Sequence, residues 1–441
     1  MRITGPARVS GSLKVPGDKS ISHRVAMLAS IANGPSRVSG FASSADCQAT
    51  LDCIRKLGVT VEGAGSDLVI HGKGLFGYSP EAPVVQLNAG NSGSTIRMLT
   101  GLLSGQRFTS EITGDASLRR RPMARIIEPL TLMGARIEAM AANFAPLTIH
   151  GRKLRSIRYT SPVASAQVKT CVLFAGLLAE GRSVLSEPIL SRDHTEFMLR
   201  EFGAIVDGSS YDAVSIEGLH ELTPLDYQVP GDVSSAAFLI AAACVLPDSE
   251  VLLRDVGLNP TRTAFLEVLK DLGASISTRN RGERHLEFVG DLVASSSRLR
   301  TERGGMLLSG EIIPNIIDEI PILAVVATQV EGRVEVRDAK ELRIKESDRI
   351  RTVADGIRSL GGEIEEFEDG FAVTGPQRLS GGRVETEGDH RIAMAFAIAG
   401  LIAEGTTGIV DAGCASVSFP DFFESLATLT GPDAVEPVRV D

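Results

Sequence analysis

A pattern that recurs along the whole chain constrains its fold more than any other feature of the sequence. Six times, a segment with helical spacing of apolar residues ends at a glycine and is followed by a short run rich in Val and Ile. Glycine ends a helix at low cost because it lacks a Cβ and readily takes a left-handed conformation. The copies are 69 to 88 residues apart, and their glycines are Gly58, Gly134, Gly203, Gly273, Gly361 and Gly431.

A second element recurs in step with the first and consists of an apolar helix, a turn and a strand. It occupies residues 27–41, 99–112, 176–185, 242–255, 325–338 and 401–411. A period longer than that of solenoid repeats indicates repeated subdomains. We therefore predict an α/β fold of six βα units of about 70 residues, gathered into two lobes with the ligand site in the cleft between them.

Composition excludes several classes of function. The chain of 441 residues is 43% apolar and 23% charged, with a net charge of −10, whereas proteins that bind nucleic acid or anionic membranes usually present a basic face. The longest apolar run, residues 236–246, is too short to span a bilayer, and the N-terminus shows no apolar signal region. We predict a cytoplasmic protein whose Lys and Arg converge locally on small anions.

The cysteines predict neither disulfides nor a metal centre. They are odd in number, scattered and without the close spacing of a zinc ribbon, which favours free thiols that fill the core in a reducing compartment. Neither H-E-x-x-H nor C-x-x-C occurs, so we predict no catalytic metal and no cofactor. The five are Cys47, Cys53, Cys171, Cys244 and Cys414.

The segment 15–24 is the first candidate for anion binding. A glycine turn precedes Lys19, Ser20 and an apolar helix, which places both side chains at the positive end of that helix. Arg24 follows one turn later on the face of Ser20. Because Asp18 separates the glycine from the lysine, the spacing does not match a nucleotide-binding P-loop. A capped surface helix is the alternative interpretation.

Further glycine-rich or basic segments open apolar helices at 87–97, 114–122, 165–169 and 191–196. Backbone amides and small residues in such turns can approach a ligand closely, and arginine matches phosphate and carboxylate in bidentate fashion. Solvated charges and ordinary helix caps remain the alternatives. The G-x-G-x-x-G at 72–77 precedes no helix, so we predict a hairpin there and no dinucleotide site.

The C-terminal half supplies the titratable groups. Residues 317–321 place two carboxylates before an apolar helix, and residues 387–391 precede another. Segment 343–349 combines acids and bases at a predicted helix start, where Lys345 and Arg349 would share one face at i, i+4. Helix ends laced with salt bridges are the alternative interpretation.

Taken in order, these segments carry a resemblance. The motifs at 17–20, 91–97, 121–122, 165–167, 345–349 and 389–391 are similar in order and spacing to those of the 5-enolpyruvylshikimate-3-phosphate synthase family, and the resemblance covers essentially the full chain. It implies a two-lobed inside-out α/β barrel of six βαβαββ repeats, three in each lobe. One lobe would comprise 1–17 with 230–441, the other 18–229, with the substrate cleft between them.

The resemblance also implies a role for individual residues in transferring the enolpyruvyl group of phosphoenolpyruvate to the 5-hydroxyl of shikimate 3-phosphate. Asp318 would act as base toward the hydroxyl, Glu346 as acid toward the methylene carbon, and Lys19 would contact phosphoenolpyruvate. The implied ligands of shikimate 3-phosphate are Lys19, Ser20, Arg24, Ser165, Ala166, Gln167, Arg192, Asp318 and Lys345. Those of phosphoenolpyruvate are Lys19, Asn91, Gly93, Arg121, Gln167, Arg349 and Arg391.

Elementary electrostatics agrees with such a site. Two polyanionic substrates repel each other strongly in a closed site, so cations must converge on them from several segments. Two carboxylates can serve as acid and base only where their surroundings separate their pKa values.

We predict that the protein acts as a monomer on these two small-molecule substrates.

The chain departs from the family pattern at some positions. Val417 stands where many bacterial members carry a lysine, and Glu341 where some carry Asn. Gly93 is associated with sensitivity to glyphosate, so we predict that the chain binds this inhibitor.

Two rival functions remain to be distinguished. The transferase that acts on UDP-N-acetylglucosamine usually has a reactive cysteine in the loop that corresponds to 114–121, which here contains none. A non-catalytic anion-binding protein on the same scaffold is the second rival, and the presence of Asp318 and Glu346 speaks against it.

Overall fold

The computed structural model describes residues 1–210, 213–431 and 433–437. The chain divides into two compact units, which have a mixed α/β structure. The terminal unit contains both chain ends and comprises Met1–Pro16, Pro230–Arg284 and Phe288–Asp441. The central unit comprises Gly17–Val229 together with the three residues His285–Glu287.

The α-helices found in the described residues are mostly two to four turns long. They are α1 (Lys19–Ser30), α2 (Ala45–Lys56), α3 (Gly93–Ser104), α4 (Ala124–Leu132), α5 (Ala166–Leu177), α6 (His194–Glu201), α7 (Val233–Val245), α8 (Ala264–Asp271), α9 (Ile313–Ile316), α10 (Ile320–Ala327), α11 (Arg349–Ser359), α12 (His390–Ile402) and α13 (Phe422–Thr430). Short 3₁₀ turns cover Leu118–Arg120, Ala141–Asn143, Gly310–Ile312, Lys340–Ile344 and Ala412–Val417. No helix in these ranges is both long and apolar enough to cross a bilayer.

The strands are short, and most of them alternate between buried and exposed side chains. They are β1 (Arg2–Gly5), β2 (Ser10–Leu13), β3 (Pro35–Ser39), β4 (Thr60–Ala64), β5 (Asp67–His71), β6 (Val84–Asn88), β7 (Thr109–Thr113), β8 (Arg136–Met140), β9 (Phe144–His150), β10 (Leu154–Arg155), β11 (Arg158–Thr160), β12 (Ala179–Glu180), β13 (Arg182–Ser186), β14 (Val206–Ser210), β15 (Ala213–Glu217), β16 (Tyr227–Gln228), β17 (Glu250–Gly257), β18 (Ser275–Arg284), β19 (Glu287–Ser295), β20 (Arg300–Leu308), β21 (Glu331–Val336), β22 (Glu365–Phe367), β23 (Gly370–Gly375), β24 (Arg383–Val384), β25 (Gly405–Ile409) and β26 (Val435–Glu436).

Within the described ranges these strands form four-stranded sheets, three in each unit, and the small pair β10-β12. A typical sheet pairs β6 with β7 in parallel, and then β7 with β9 and β9 with β8 antiparallel. Leu87, Ile112 and Leu147 lie side by side across it and are buried. The orders are β16-β3-β5-β4, β6-β7-β9-β8 and β11-β13-β15-β14 in the central unit, and β24-β25-β1-β26, β18-β19-β17-β2 and β20-β21-β23-β22 in the terminal unit.

The recurring glycines end helices as predicted. All six have a positive φ, between 78° and 94°, which residues with a Cβ adopt only under strain. They follow α2, α4, α6, α8, α11 and α13, and a strand begins shortly after each of them. The second predicted element is also confirmed, because α1, α3, α5, α7, α10 and α12 each precede a strand at the predicted place.

The most apolar helices form the core of each unit. In the terminal unit α7, α10 and α12 contact one another, and α10 is buried on all sides. In the central unit α1 and α5 both contact α3. A helix that is apolar all round must be surrounded by protein, whereas the strands, with one exposed face, cover the outside. We refer to these six helices as the core helices.

Two local predictions are wrong. Segment 72–77 forms no hairpin: β5 pairs with β3 and β4, whereas the next strand, β6, belongs to another sheet, so the glycines lie in a connecting loop. Lys345 and Arg349 do not share a helical face, because α11 begins only at Arg349, behind its N-cap Asp348. The charged residues of 340–344 form a 3₁₀ turn instead.

The cysteine prediction is confirmed for four residues. All five thiols are free, and Cys414 alone among them is only partly buried. Burial raises the pKa of Cys53 and Cys244 to about 12, so these groups remain neutral. They fill the core as small apolar side chains do.

Candidate active site

In each unit, most of the predicted site residues lie at or just before the N-terminal ends of helices. Several of these ends are capped by side chains: the Asp18 carboxylate accepts a hydrogen bond from the amide of Ile21 at 2.9 Å, and the Asp389 carboxylate accepts one from Arg391 at 2.9 Å. Ser92 and Ser165 cap α3 and α5 in the same way. The free amides and the dipole of a helix make its N-terminus a favourable place for an anion.

Lys19 opens α1 and forms an ion pair. Its Nζ lies 3.1 Å from an Oδ of Asp46 on α2, and both side chains are largely buried. Asp46 was not predicted, because only the fold brings α2 next to the first turn of α1. The carboxylate holds the ammonium at the end of the helix.

Arg24 joins three helices. Its guanidinium donates to the carbonyl of Ser20 at 2.8 Å, to Thr195 Oγ1 at 2.7 Å and to Thr170 Oγ1 at 2.9 Å. It also reaches the carbonyl of Ala166 at 3.5 Å. The prediction that Ser20 and Arg24 lie one turn apart on one face is confirmed, and α5 and α6 supply the remaining acceptors.

A second guanidinium organises the start of α3. Arg97 donates from Nη1 to Oε1 of Gln167 at 2.7 Å, and the amide of Gln167 donates to Ser94 at 3.0 Å. A Cβ added to Gly93 would lie 2.7 Å from Arg97 Nη1 and 3.5 Å from Arg121 Nη1. Both guanidinium groups therefore approach the backbone at Gly93, and sequence reasoning did not assign a role to Arg97.

Arg121 is held by the loop that precedes α3. Its Nη2 donates to the side-chain oxygen of Asn91 at 2.8 Å and to Ser117 at 3.2 Å. Asn91 in turn donates to Asp115 at 2.7 Å. Arg121 is buried, whereas its neighbours Arg119 and Arg120 are exposed. The run of three arginines thus contains one residue that points inward and two that are solvated.

The loops before α5 and α6 bring Ser165 and Arg192 to the same region. Arg192 Nη1 lies 3.5 Å from Ser20 Oγ, and the Ser165 hydroxyl accepts from Val168 at the start of α5. The contacts described so far link the predicted central-unit ligands. We call Lys19, Arg24, Arg97, Arg121 and Arg192 the cationic cluster.

A buried chain of polar side chains supports this cluster. His23 Nδ1 lies 2.7 Å from Thr50, which lies 2.6 Å from Thr95, whose hydroxyl donates to the capping residue Ser92 at 2.8 Å. Burial, together with the positive charges of Lys19 and Arg24, holds the pKa of His23 well below its usual value. The imidazole is therefore neutral, and it ties α1 and α2 to the cap of α3.

In the terminal unit Arg349 occupies the centre of a second group. Its side chain is 1% exposed and donates to Asp389 at 2.8 Å and 3.3 Å and to Glu346 at 2.6 Å. Asp318 lies 3.5 Å from Nη1. We call Asp318, Glu319, Glu346 and Asp389, with Arg349 and Arg391, the carboxylate cluster.

Charge pairing outweighs burial in this cluster. Burial alone would lower the pKa of Arg349, yet Asp389, Glu346 and Asp318 raise it above its ordinary value. Burial would likewise raise the pKa of Asp389, and Arg349 lowers it below its ordinary value. Both groups are therefore charged at neutral pH, and each depends on its partner.

Arg391 lies on α12 and reaches α7 and the residues just before α10. Its Nη1 donates to the carbonyl of Asp318 at 2.7 Å and to Ser234 at 2.9 Å. Its guanidinium also lies 3.7 Å from the Asp318 carboxylate and 3.6 Å from Glu319. Ser234, which was not predicted, donates a hydrogen bond to Glu319, the second carboxylate of segment 317–321. Arg391 is separated from Asp318 and Ser234 by 73 and 157 residues along the chain, so these contacts could not be predicted from the sequence.

Lys345 lies beside the carboxylate cluster, next to Glu346 in the chain. Its Nζ lies 3.1 Å from Glu341, and the pair is partly exposed. No group of three His, Cys, Asp or Glu side chains in the described part of the chain is arranged to hold a metal ion. Chemically, the cationic cluster suits multiply charged anions, whereas the carboxylate cluster offers groups that accept and donate protons.

Comparison with known proteins identifies the family. The profile of EPSP synthase (3-phosphoshikimate 1-carboxyvinyltransferase) matches residues 3–426. Proteins named 3-phosphoshikimate 1-carboxyvinyltransferase from Solibacter usitatus and Thermodesulfovibrio yellowstonii are 49% and 48% identical over 425 residues. That match covers 96% of this chain and 98% and 97% of theirs.

Solved structures agree with the sequence relatives. A structure of EPSP synthase from Acinetobacter baumannii superimposes with a TM-score of 0.85 and 40% identity, covering 97% of both chains. A second structure of EPSP synthase from that organism gives a TM-score of 0.85 at 39% identity over 100% of both chains. The resemblance inferred from the motifs is thereby confirmed. The chain belongs to the EPSP synthase family, the 3-phosphoshikimate 1-carboxyvinyltransferases.

Proposed function

We propose that the cationic and carboxylate clusters of this enolpyruvyl transferase divide the work of its reaction. As a family member, the chain transfers the enolpyruvyl group of phosphoenolpyruvate to shikimate 3-phosphate. The single observation that carries the proposed division is the difference in composition. The cationic cluster consists of a lysine and four arginines at or near helix starts, whereas in the carboxylate cluster the guanidinium of Arg349 contacts three carboxylates.

In the proposed assignment, residues of the central unit bind the phosphorylated groups. Ser20, Arg24, Ser165, Ala166, Gln167 and Arg192 contact shikimate 3-phosphate, and Asn91, Gly93, Gln167 and Arg121 contact phosphoenolpyruvate, with Lys19 touching both. The support is that most of them lie at the N-termini of α1, α3 and α5, where helix dipoles and cations add their attraction for anions. Arg121 and Arg192 contact Asn91 and Ser20 there from neighbouring loops.

Residues of the terminal unit would complete the substrate contacts. Arg349 and Arg391 bind the carboxylate of phosphoenolpyruvate, and Lys345 and Asp318 bind shikimate 3-phosphate. Both arginines present guanidinium groups already oriented by buried hydrogen bonds, which reduces the entropy lost on binding.

The proposed chemistry moves one proton in each direction. Glu346 gives a proton to the methylene carbon of phosphoenolpyruvate, and C2 gains cationic character. Asp318 takes the proton of the 5-hydroxyl as its oxygen bonds to C2, which forms a tetrahedral intermediate. The C–O bond to phosphate then breaks with its electron pair on phosphate, and the methyl group returns a proton to Glu346, which restores the double bond. In each acid, the proton can move only through a carboxyl oxygen that Arg349 does not hold.

A direct assay tests the function. Purified protein mixed with shikimate 3-phosphate and phosphoenolpyruvate should release phosphate in step with the loss of both substrates. UDP-N-acetylglucosamine in place of shikimate 3-phosphate should release none. Phosphate release with the nucleotide sugar but not with shikimate 3-phosphate would contradict the proposal and favour the transferase that acts on UDP-N-acetylglucosamine. Binding of both substrates without turnover would contradict it and favour the non-catalytic anion-binding protein.

Three further expectations, on the fold, the oligomeric state and the compartment, complete the proposal. The fold is an inside-out α/β barrel of six βαβαββ repeats, three for each unit, which the shared strand order of the four-stranded sheets supports. The protein is a monomer, since one chain carries both clusters, and sedimentation at several concentrations tests this. Its compartment is the cytoplasm, where the unpaired thiols remain reduced.

A further inference from the structure

A buried group of three charges lies beside the cationic cluster and has no role in the chemistry described above. Lys169 on α5 is 2% exposed, and its Nζ lies 2.8 Å from Glu196 on α6 and 3.2 Å from Glu187. Glu187 lies in the loop that follows β13, and both carboxylates are more than nine-tenths buried. We call Lys169, Glu187 and Glu196 the buried triad.

Burying the triad costs stability. A carboxylate and an ammonium each lose several kcal/mol of hydration on burial, and here two acids share one base. Burial raises the pKa of Glu196, which its attraction to Lys169 does not overcome. An apolar set of the same volume would serve the core at least as well. The triad therefore calls for an explanation other than stability.

Glu187 differs from Glu196 in what its carboxylate holds. Its oxygens accept hydrogen bonds from the backbone amide of Ser165 at 2.9 Å and from the hydroxyl of Ser191 at 2.7 Å and 2.9 Å. The amide of Ser191 approaches at 3.4 Å, and the Ser191 carbonyl accepts from Lys169 at 3.1 Å. Every polar atom of Ser191 thus contacts the triad.

The two backbone segments that Glu187 holds are those with the proposed ligands of shikimate 3-phosphate. Ser165 caps α5, and Ala166 and Gln167 form its first turn. Ser191 immediately precedes Arg192, whose guanidinium reaches the hydroxyl of Ser20. One carboxylate therefore sets the distance between the start of α5 and the loop that carries Arg192.

We propose that Glu187 is a positioning residue that fixes the Ser165–Gln167 turn and Arg192 for binding of shikimate 3-phosphate. The inference rests on the proposed function, because it takes those residues as ligands of that substrate. Glu187 itself touches neither the substrate nor the reacting atoms. Its effect is on affinity for one substrate and not on the proton transfers.

The variant Glu187→Gln tests this, because an amide presents one acceptor where the carboxylate presents two. If its oxygen accepts from Ser165, its NH₂ faces the Lys169 ammonium and the Ser191 hydroxyl. The Kd for shikimate 3-phosphate, measured by calorimetry, should rise about tenfold, as expected for loss of a charge-assisted hydrogen bond. The KM for phosphoenolpyruvate at saturating shikimate 3-phosphate and kcat should change less than about twofold.

Glu196→Gln is the matched control. It removes one carboxylate from the same ammonium at the same depth, but Glu196 accepts no hydrogen bond from Ser165 or Ser191 in the described contacts. Its Kd for shikimate 3-phosphate should stay within about twofold of the parent value. A third variant, Ser191→Ala, keeps the bond to Ser165 and loses the hydroxyl bonds, so its Kd should lie between the other two.

The outcomes separate the inference from the proposed function. If the unmodified protein fails to bind shikimate 3-phosphate, the proposed function is wrong. If it binds and Glu187→Gln and Glu196→Gln weaken binding equally, or if Glu187→Gln changes kcat alone, the positioning role is wrong. Should Glu187→Gln fail to fold, Ser191→Ala decides: an unchanged Kd overturns the inference, and a raised Kd with an unchanged melting temperature supports it.

Discussion

The two clusters differ in the charges that they bring together. The cationic cluster combines four arginines with Lys19, and Arg24 and Arg121 donate hydrogen bonds to hydroxyl, carbonyl and amide oxygens. In the carboxylate cluster, Arg349 is surrounded by Asp318, Glu346 and Asp389. Arginine matches phosphate and carboxylate groups in bidentate fashion, whereas a carboxylate beside a guanidinium keeps its own charge more readily.

The difference indicates what each cluster can do. Lysine and arginine side chains near helix N-termini attract polyanions, so the central unit should contribute most of the substrate affinity. A carboxylate beside a fixed guanidinium has its proton affinity set by that neighbour, so the terminal unit should control turnover. The following variants test this distinction.

The largest effect is expected for Glu346→Gln. The amide keeps the shape of the side chain and loses the proton, so kcat should fall by about 10²- to 10⁴-fold, the usual contribution of a general acid or base. The Kd for shikimate 3-phosphate should stay within about threefold of the parent value. Phosphate release and calorimetry measure the two quantities, with Glu341→Gln as a neighbouring carboxylate outside the proposed chemistry. A loss of affinity without loss of kcat would break the distinction.

Asp389→Asn should destabilise the protein more than any surface change. The substitution leaves the buried guanidinium of Arg349 without its two-point partner, and breaking a buried pair costs about 3–5 kcal/mol. Urea denaturation monitored by circular dichroism measures the free energy of unfolding. Glu365→Gln, at the exposed pair with Arg333, is the control and should have a negligible effect.

The same residue predicts a dependence on pH. Because the folded-state pKa of Asp389 lies below its ordinary value of 3.8, its contribution to stability is fully present above that value. It is lost as the pH falls through 3.8 toward the lower folded-state pKa. The parent protein should therefore lose more stability than Asp389→Asn between pH 5 and pH 3, and parallel curves would contradict the assignment.

Arg121→Lys should weaken binding of phosphoenolpyruvate. Lysine keeps the charge and loses the fork that spans Asn91 and Ser117, so KM should rise about 10- to 100-fold, as for loss of one charged hydrogen bond. The exposed neighbour offers a matched control, since Arg120→Lys should leave KM unchanged. Equal effects of the two variants would mean that the run of arginines acts as a diffuse charge.

Gly93→Ala should have the smallest effect. The added Cβ meets the end of the flexible Arg97 side chain, which can move at the cost of its bond to Gln167. KM for phosphoenolpyruvate should rise by less than about tenfold, or 1.4 kcal/mol. Glyphosate should inhibit the parent protein and bind this variant less tightly, with Gly413→Ala, whose Cβ meets no atom within 4 Å, as the control. An inhibition curve of the parent that stays flat to very high concentration contradicts the prediction of glyphosate binding.

Sequence reasoning predicted the features that depend on local chemistry. The glycine stops, the helix that precedes each strand and the helix caps follow from backbone preferences, and all six glycines have the predicted conformation. The motifs also placed Lys19 and Ser20 correctly at the start of α1. Patterns of this kind are visible because neighbouring residues determine them.

Contacts between distant segments could not be predicted. Asp46, Thr195 and Ser234 carry no local signal, and they matter only because the fold brings other helices next to Lys19, Arg24 and Arg391. The i, i+4 spacing of charges also predicted a helix start within 343–349 wrongly, because a 3₁₀ turn and the cap at Asp348 replace the expected helix there. Helical spacing has meaning only after the start of the helix is known.

The full burial of α7, α10 and α12 has a consequence for how this protein loses activity. Helices without a polar side cannot detach from their unit and remain in water, so their ends cannot fray independently of the rest. Inactivation by denaturant should then coincide with global unfolding, and the hydrogen-bonded amides within α7, α10 and α12 should exchange only when the whole unit unfolds. In this architecture, catalytic activity and the folded state should therefore be lost together.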